Sequence, residues 1–118
     1  MALTIYHNPR CSKSRKTLQL ISDAGIQPSI VLYLESPPRA AEILAVAERL
    51  GTPVSGLLRQ DESDFKQAED LPDLEDDAAL AAWLSANPRV LQRPIVIDRD
   101  SGRAVVGRPP ENVLELLR

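Results

Sequence analysis

Two short apolar runs on either side of one amphipathic stretch constrain the first third of this chain more than any other feature. Leu3-Thr4-Ile5-Tyr6 has the length and residue types of a strand. Ser29 to Leu34 is a continuous apolar run with β-branched residues, suited to a buried strand. Between them, from about Ser12 to Ala24, Leu18, Ile21 and Ala24 recur at a spacing of three, which predicts a helix with Gly25 at its C-cap. Strand, helix and strand in that order predict a βαβ unit with parallel strands.

The last third has a different rhythm. Pro94-Ile95-Val96-Ile97 and Arg103-Ala104-Val105-Val106 read as strands around Asp98-Arg99-Asp100-Ser101-Gly102, a hairpin signature. Pro109-Pro110-Glu111 then starts a C-terminal helix with Val113, Leu114 and Leu117 inward. The middle reads as helices. Ser36 is placed as an N-cap with Pro37 at the first helical position, Ile43, Val46, Ala47 and Leu50 form the apolar stripe, and Gly51 ends it. Thr52-Pro53 repeats the start signal for a short helix carrying Val54, Leu57 and Leu58. Leu80, Trp83 and Leu84 define a further helix, stopped by Asn87-Pro88, in which Trp83 reads as a core anchor.

The expected architecture is therefore α/β. A four-stranded mixed sheet carries a helical insertion, about 37–91, between a βαβ half and a ββα half, in a single domain over residues 1–118. This order resembles the thioredoxin fold. That fold has a cis proline at the start of its third strand, facing the cysteine loop, and Pro94 occupies that place.

Charge is unevenly distributed. The net charge of −3 conceals an acidic tract from Asp61 to Asp77, with nine carboxylates and one Lys. The rest of the chain is left with thirteen Lys and Arg against eight acids. The tract reads as solvated surface. With one Trp, two Tyr, one Phe and no basic run beyond the first helix, nucleic-acid binding has little to rest on. No apolar run approaches the length of a membrane span, and a signal-peptide pattern is not evident. One cysteine cannot form an internal disulfide, so the expected setting is cytoplasmic. Nothing points to an obligate dimer, and a monomer is expected.

That cysteine, Cys11, lies in the most basic segment, Asn8-Pro9-Arg10-Cys11-Ser12-Lys13-Ser14-Arg15-Lys16, where the first carboxylate to follow is Asp23. A thiol between a strand end and a helix start meets the positive end of the helix dipole as well as nearby cations. Both favour thiolate over thiol, which suits a nucleophile. Burying it as an ordinary core residue would drag Arg10, Ser12 and Lys13 inward at a cost in unpaired charge. Three further arginines, Arg59, Arg93 and Arg108, each stand where an element ends. Guanidinium groups match tetrahedral oxyanions through paired N–H donors. Each arginine alone also fits a surface salt bridge, and spacing does not decide whether the three converge.

Residue matches over nearly the full length carry a more specific resemblance. Ile5-Tyr6-His7-Asn8-Pro9, Cys11 with Ser14-Arg15, Tyr33-Leu34-Glu35, Leu57-Leu58-Arg59, Arg93-Pro94-Ile95-Val96 and Arg108-Pro109 are similar to the glutaredoxin-coupled arsenate reductases. The loop NPRCSKSR resembles a short sub-branch, with Ser12-Lys13 where the best-known members have small residues. The resemblance implies that Cys11 is the catalytic thiol and that Arg59, Arg93 and Arg108 bind the oxyanion. It also implies that His7, Ser14 and Arg15 support the thiolate. No bound cofactor or metal is implied. The implied partners are arsenate, glutathione as co-substrate, and glutaredoxin, the last two because a lone cysteine cannot resolve its own arsenate adduct.

Two other readings compete. One is a thioredoxin-fold regulator binding RNA polymerase; its members commonly carry Cys-x-x-Cys, where this chain has Ser14, and lack an arginine at position 108. The other is a monothiol glutaredoxin-like oxidoreductase, for which the three arginines are unnecessary. Thr17 sits where a Cys-x5-Arg phosphate loop would need arginine, and the single cysteine also counts against thioredoxin-coupled reductases.

Overall fold

The computed structural model describes residues 1–117. They form two compact units, one made of Met1–Tyr33 together with the chain from Arg93 onward, the other of Leu34–Gln92. The first unit is a four-stranded sheet in the order β2-β1-β3-β4. Strand β1 (Leu3–His7) pairs in parallel with β2 (Ser29–Leu32) on one side and antiparallel with β3 (Ile95–Asp98) on the other, and β4 (Ala104–Val106) closes the row antiparallel to β3. This is the expected mixed sheet of βαβ and ββα halves. Helix α1 (Ser12–Asp23) joins β1 to β2.

One face of this sheet carries an apolar core. Leu3 and Ile5 of β1 and Val96 of β3 meet Ile21 of α1 and Val113 and Leu116 of the C-terminal segment, all at most 2 % exposed. Ile5 lies opposite Val96 in the register, so the strand period of two puts both on the α1 side. At the far end of α1 the chain turns through Gly25, whose φ of +78° is the left-handed conformation that glycine takes without strain.

Five elements depart from expectation. Strand β2 ends at Leu32 and is not buried: it is an edge strand with a single neighbour, and Ile30 is 49 % exposed. On α1 the buried positions are Ser14, Thr17 and Ile21, while Leu18 is half-buried and Ala24 exposed. The C-terminal helix is a 3-10 helix, Pro110–Glu115. Three residues per turn bring Val113 and Leu116 inward; of the expected Val113, Leu114 and Leu117, Leu114 is exposed and Leu117 is half-buried against the same core. The second helix, α2 (Ala40–Leu50), begins three residues later than Pro37. Pro37 precedes Pro38, and a residue before proline is pushed out of the α region. Arg39 is the N-cap instead, its backbone N–H donating to Glu42 at 3.1 Å. Pro53 and Pro109 are likewise caps in extended conformation rather than first helical residues.

Within the second unit, α2 buries Ile43, Val46 and Ala47 as its stripe predicts and ends at Gly51, φ +69°. A 3-10 helix (Val54–Leu57), the single turn α3 (Ser63–Lys66), helix α4 (Asp77–Ala86) and a 3-10 turn (Pro88–Val90) follow. Trp83 is buried, packs edge-to-face on Phe65 and donates its Nε1–H to Asp70 at 3.0 Å. The acidic tract is mostly exposed, yet several of its members work structurally. Asp76 caps α4 by accepting from Ala79 N–H, and Asp77 accepts from Val54 N–H. No helix among the described residues is long and apolar enough to cross a membrane.

Candidate functional site

Cys11 sits at the turn between β1 and α1. Its backbone N–H donates to Asn8 O at 3.0 Å, and its own carbonyl accepts from Arg15 N–H at 3.0 Å as the first helical bond. With φ −92° and ψ 121° it is the N-cap of α1, and no side-chain cap occupies that end. The first turn carries no acid, so the unfilled N–H groups and the dipole favour an anion there. The turn itself is fastened by Asn8, whose Oδ1 accepts from Arg10 N–H at 3.0 Å, and by Arg15, whose Nη1 donates to Pro9 O at 2.9 Å. The thiol is partly exposed; Arg10, Ser12, Lys13, Arg15 and Lys16 around it are exposed.

Under the thiol loop lies a buried polar pair. Ser14 is fully buried and His7 nearly so, with Nδ1 and Oγ 2.6 Å apart. The Ser14 oxygen also accepts from Asn8 N–H at 3.1 Å. Burial lowers the pKa of the His7 imidazole from its ordinary value and the Arg15 cation adds to the effect, so both favour the neutral ring. A neutral His7 accepting at Nδ1 from the Ser14 hydroxyl leaves that oxygen free for the Asn8 amide. The end of β1 is thereby tied to the first turn of α1.

The other wall comes from β3 and the end of β4. The Arg93–Pro94 peptide is cis, as expected at the start of β3, and the Arg108–Pro109 peptide is cis as well, which sequence reading did not anticipate. Arg108 donates from Nε to Arg93 O at 2.7 Å and from Nη2 to Cys11 Sγ at 3.8 Å. Its carbonyl is held in turn by Asn112 Nδ2 at 3.1 Å. The Nε of Arg93 is buried and has no hydrogen-bond partner. Cys11, Arg93 and Arg108 are thus brought together from positions 82 and 97 residues apart in the chain.

Arg59 belongs to the second unit. Its backbone N–H donates to Val90 O at 2.7 Å beside the antiparallel Leu58–Leu91 bridge. Its guanidinium, 15 % exposed, pairs with Glu62 at 3.4 Å and Asp61 at 4.0 Å. The bond to Glu62 is an i,i+3 pair readable from the sequence, and it occupies part of the fork expected for an oxyanion. The groups that sequence reading missed are Asn8, Thr17, Gly107 and Asn112. Each acts by supporting a neighbour, and none of them stands out as functional when read alone.

A thioredoxin-like sheet thus carries a cis proline at the head of β3, a cysteine at a helix start and an arginine held against its sulfur. The chain belongs to the ArsC family, whose model matches residues 6–116. It is 40 % identical to the arsenate reductase of Haemophilus influenzae, over 99 % of this chain and all of that protein. It is 43 % identical to the uncharacterised protein YfgD of Escherichia coli K12, over 96 % of this chain and 94 % of that one. Among solved structures, the arsenate reductase of Vibrio cholerae superposes with a TM-score of 0.85 at 40 % identity, covering 98 % of this chain and 97 % of that one.

Proposed function

We propose that this protein reduces arsenate to arsenite through a covalent adduct on Cys11. The observation that carries the reading is the Arg108 guanidinium, aimed by its bond to Arg93 O and lying 3.8 Å from the thiol sulfur. An arsenic atom attacked by that sulfur would carry its oxygens into the reach of the same guanidinium. The unpartnered Nε of Arg93 offers a second donor, which an oxyanion oxygen would satisfy. The resemblance also gives Arg59 an oxyanion-binding role, for which its guanidinium would have to exchange Glu62 and Asp61 for the ligand. The names of the relatives support arsenate as the substrate.

The chemistry balances with two external thiols. Cys11 thiolate displaces one arsenate oxygen, which leaves as water after protonation, and a sulfur–arsenic(V) bond forms without redox change. Fixed guanidinium donors stabilise the charge on the remaining oxygens as the bond forms. Glutathione then supplies a thiol to the adduct, and a second thiol, from glutaredoxin or glutathione, closes a disulfide with it. Two electrons pass to arsenic, water cleaves the remaining bond between arsenic(III) and the Cys11 sulfur, arsenite leaves, and the Cys11 thiol is regenerated. A chain with one cysteine needs both thiols from outside. His7 and Ser14 set the position of the helix turn that bears the thiol, and Arg15 holds the loop before it.

The test is arsenate-dependent oxidation of NADPH with glutathione, glutathione reductase and glutaredoxin present. Wild type should turn over, and Cys11→Ser, whose hydroxyl stays protonated near neutral pH, should not. Wild type inert under the complete system would sink the reading and favour the polymerase-binding or glutaredoxin-like alternative. Activity retained in Cys11→Ser would place the chemistry elsewhere.

A further inference from the structure

The spacing between Arg108 and Cys11 is set at a contact that neither residue makes. Gly107 is buried directly before Arg108, and its N–H donates to Pro94 O at 2.9 Å. A Cβ on Gly107 would lie 2.5 Å from Thr17 Oγ1, 3.1 Å from Thr17 Cγ2 and 2.8 Å from Pro94 Cγ. Thr17 is fully buried on α1, the helix that begins at Cys11. It has little freedom to withdraw, because its branched side chain donates to Lys13 O at 2.8 Å one turn back. The Thr17 side chain of the thiol-bearing helix therefore fills the space that a Cβ would take at the strand end before Arg108.

We infer that Gly107 and Thr17 are a positioning pair, fixing how near the Arg108 guanidinium stands to the Cys11 sulfur. A methyl at 107 must move the helix or the strand end by about 0.9 Å to relax the 2.5 Å approach to the 3.4 Å edge of ordinary contact. That displacement falls on the 3.8 Å separation of Nη2 and Sγ, because Arg108 follows Gly107 in the chain and its Nε is anchored to Arg93 O. The value of the spacing for arsenate rests on the reading above; the spacing itself does not. A misplacement of this size at a reacting centre costs on the order of a hundredfold in rate.

The experiment compares alkylation of Cys11 by anionic iodoacetate and neutral iodoacetamide at one pH in the full-length folded protein. The ratio of the two rates reports a cation beside the sulfur and is indifferent to global stability. Wild type should prefer the anionic reagent, and Arg108→Ala should lose that preference. Gly107→Ala should lose it too, with arsenate turnover falling about ten- to a hundredfold. Gly107→Ala in a Thr17→Ala background should regain part of both, since the 2.5 Å and 3.1 Å approaches to Thr17 are gone while the 2.8 Å approach to Pro94 Cγ remains. If Gly107→Ala alone does not fold, Ala and Val at 107 are compared in the Thr17→Ala background, where Val should lower the ratio further than Ala does. A wild-type ratio in Gly107→Ala, or a ratio that Thr17→Ala fails to restore even in part, overturns the inference. Arsenate inertness with these ratios intact would count against the proposed reaction and not against the spacing.

Discussion

Replacing Arg108 with alanine removes two contacts of different kinds. One is the Nη2–Sγ contact at 3.8 Å, and the other is the 2.7 Å bond from Nε to Arg93 O. In the proposed reaction the first bears on chemistry, because it would place a fixed donor where charge gathers on the oxyanion. Loss of one such donor costs about 10²–10³ in kcat, roughly 3–4 kcal/mol of transition-state stabilisation. The second bears on structure. Its loss leaves a carbonyl short of a partner, for which about 1 kcal/mol of stability is the expected cost. The two are separable with Arg108→Lys, which keeps a charge but not the fork, and should recover only part of the activity. Arg99→Ala serves as the control: Arg99 is exposed in the turn beyond β3, roughly 17 Å along the strand from Pro94. The assay is glutathione-coupled arsenate reduction, with thermal unfolding in parallel. Wild-type kcat in Arg108→Ala would refute the argument, and so would an equal loss in Arg99→Ala.

Two further outcomes follow from other parts of the molecule. His7 is held neutral by burial and by Arg15, so the unfolded chain takes up a proton on this ring at a higher pH than the folded one does. Its contribution to stability is complete above about pH 6.5 and is lost as pH falls from there toward the lower folded value. Thermal unfolding followed from pH 7.5 to 5 should show a steeper decline in wild type than in His7→Gln, and parallel curves would contradict the assignment. Trp83→Ala removes the largest buried ring of the second unit together with its edge-to-face contact on Phe65 and its bond to Asp70. Denaturant unfolding by circular dichroism should show about 3–5 kcal/mol lost, against less than 1 kcal/mol for exposed Ala82→Ser.

What the sequence makes legible here is chemistry that is local along the chain. The basic loop around Cys11, the hairpin turn Asp98–Gly102 and the proline at the head of β3 are each read within a few residues, and the structure has all three. Proline pairs mislead in a consistent way. At Pro37-Pro38 and Pro109-Pro110 the first proline is forced out of the helix by the second, so each helix starts later than a lone proline would place it. The edge position of β2 was hidden for another reason. Its residues are as apolar as those of β3, and only the strand order, settled by partners some ninety residues away, leaves one side of β2 unpaired.

The same distinction runs through the site. The residue types that the chemistry needs, one thiol and guanidinium groups at element ends, can be picked out singly, but the separation between them cannot. Cys11 is carried by α1 and Arg108 by the end of β4, and the close approach between those two elements is that of Thr17 to a glycine ninety residues later. A threonine in a helix and a glycine before Arg-Pro are unremarkable when read alone. They become informative only as a pair, because the missing Cβ of one is the space that the hydroxyl and methyl of the other require. Reactivity in this loop therefore depends on two residues that take no part in the reaction, and their substitution should be felt at the sulfur before it is felt in the fold.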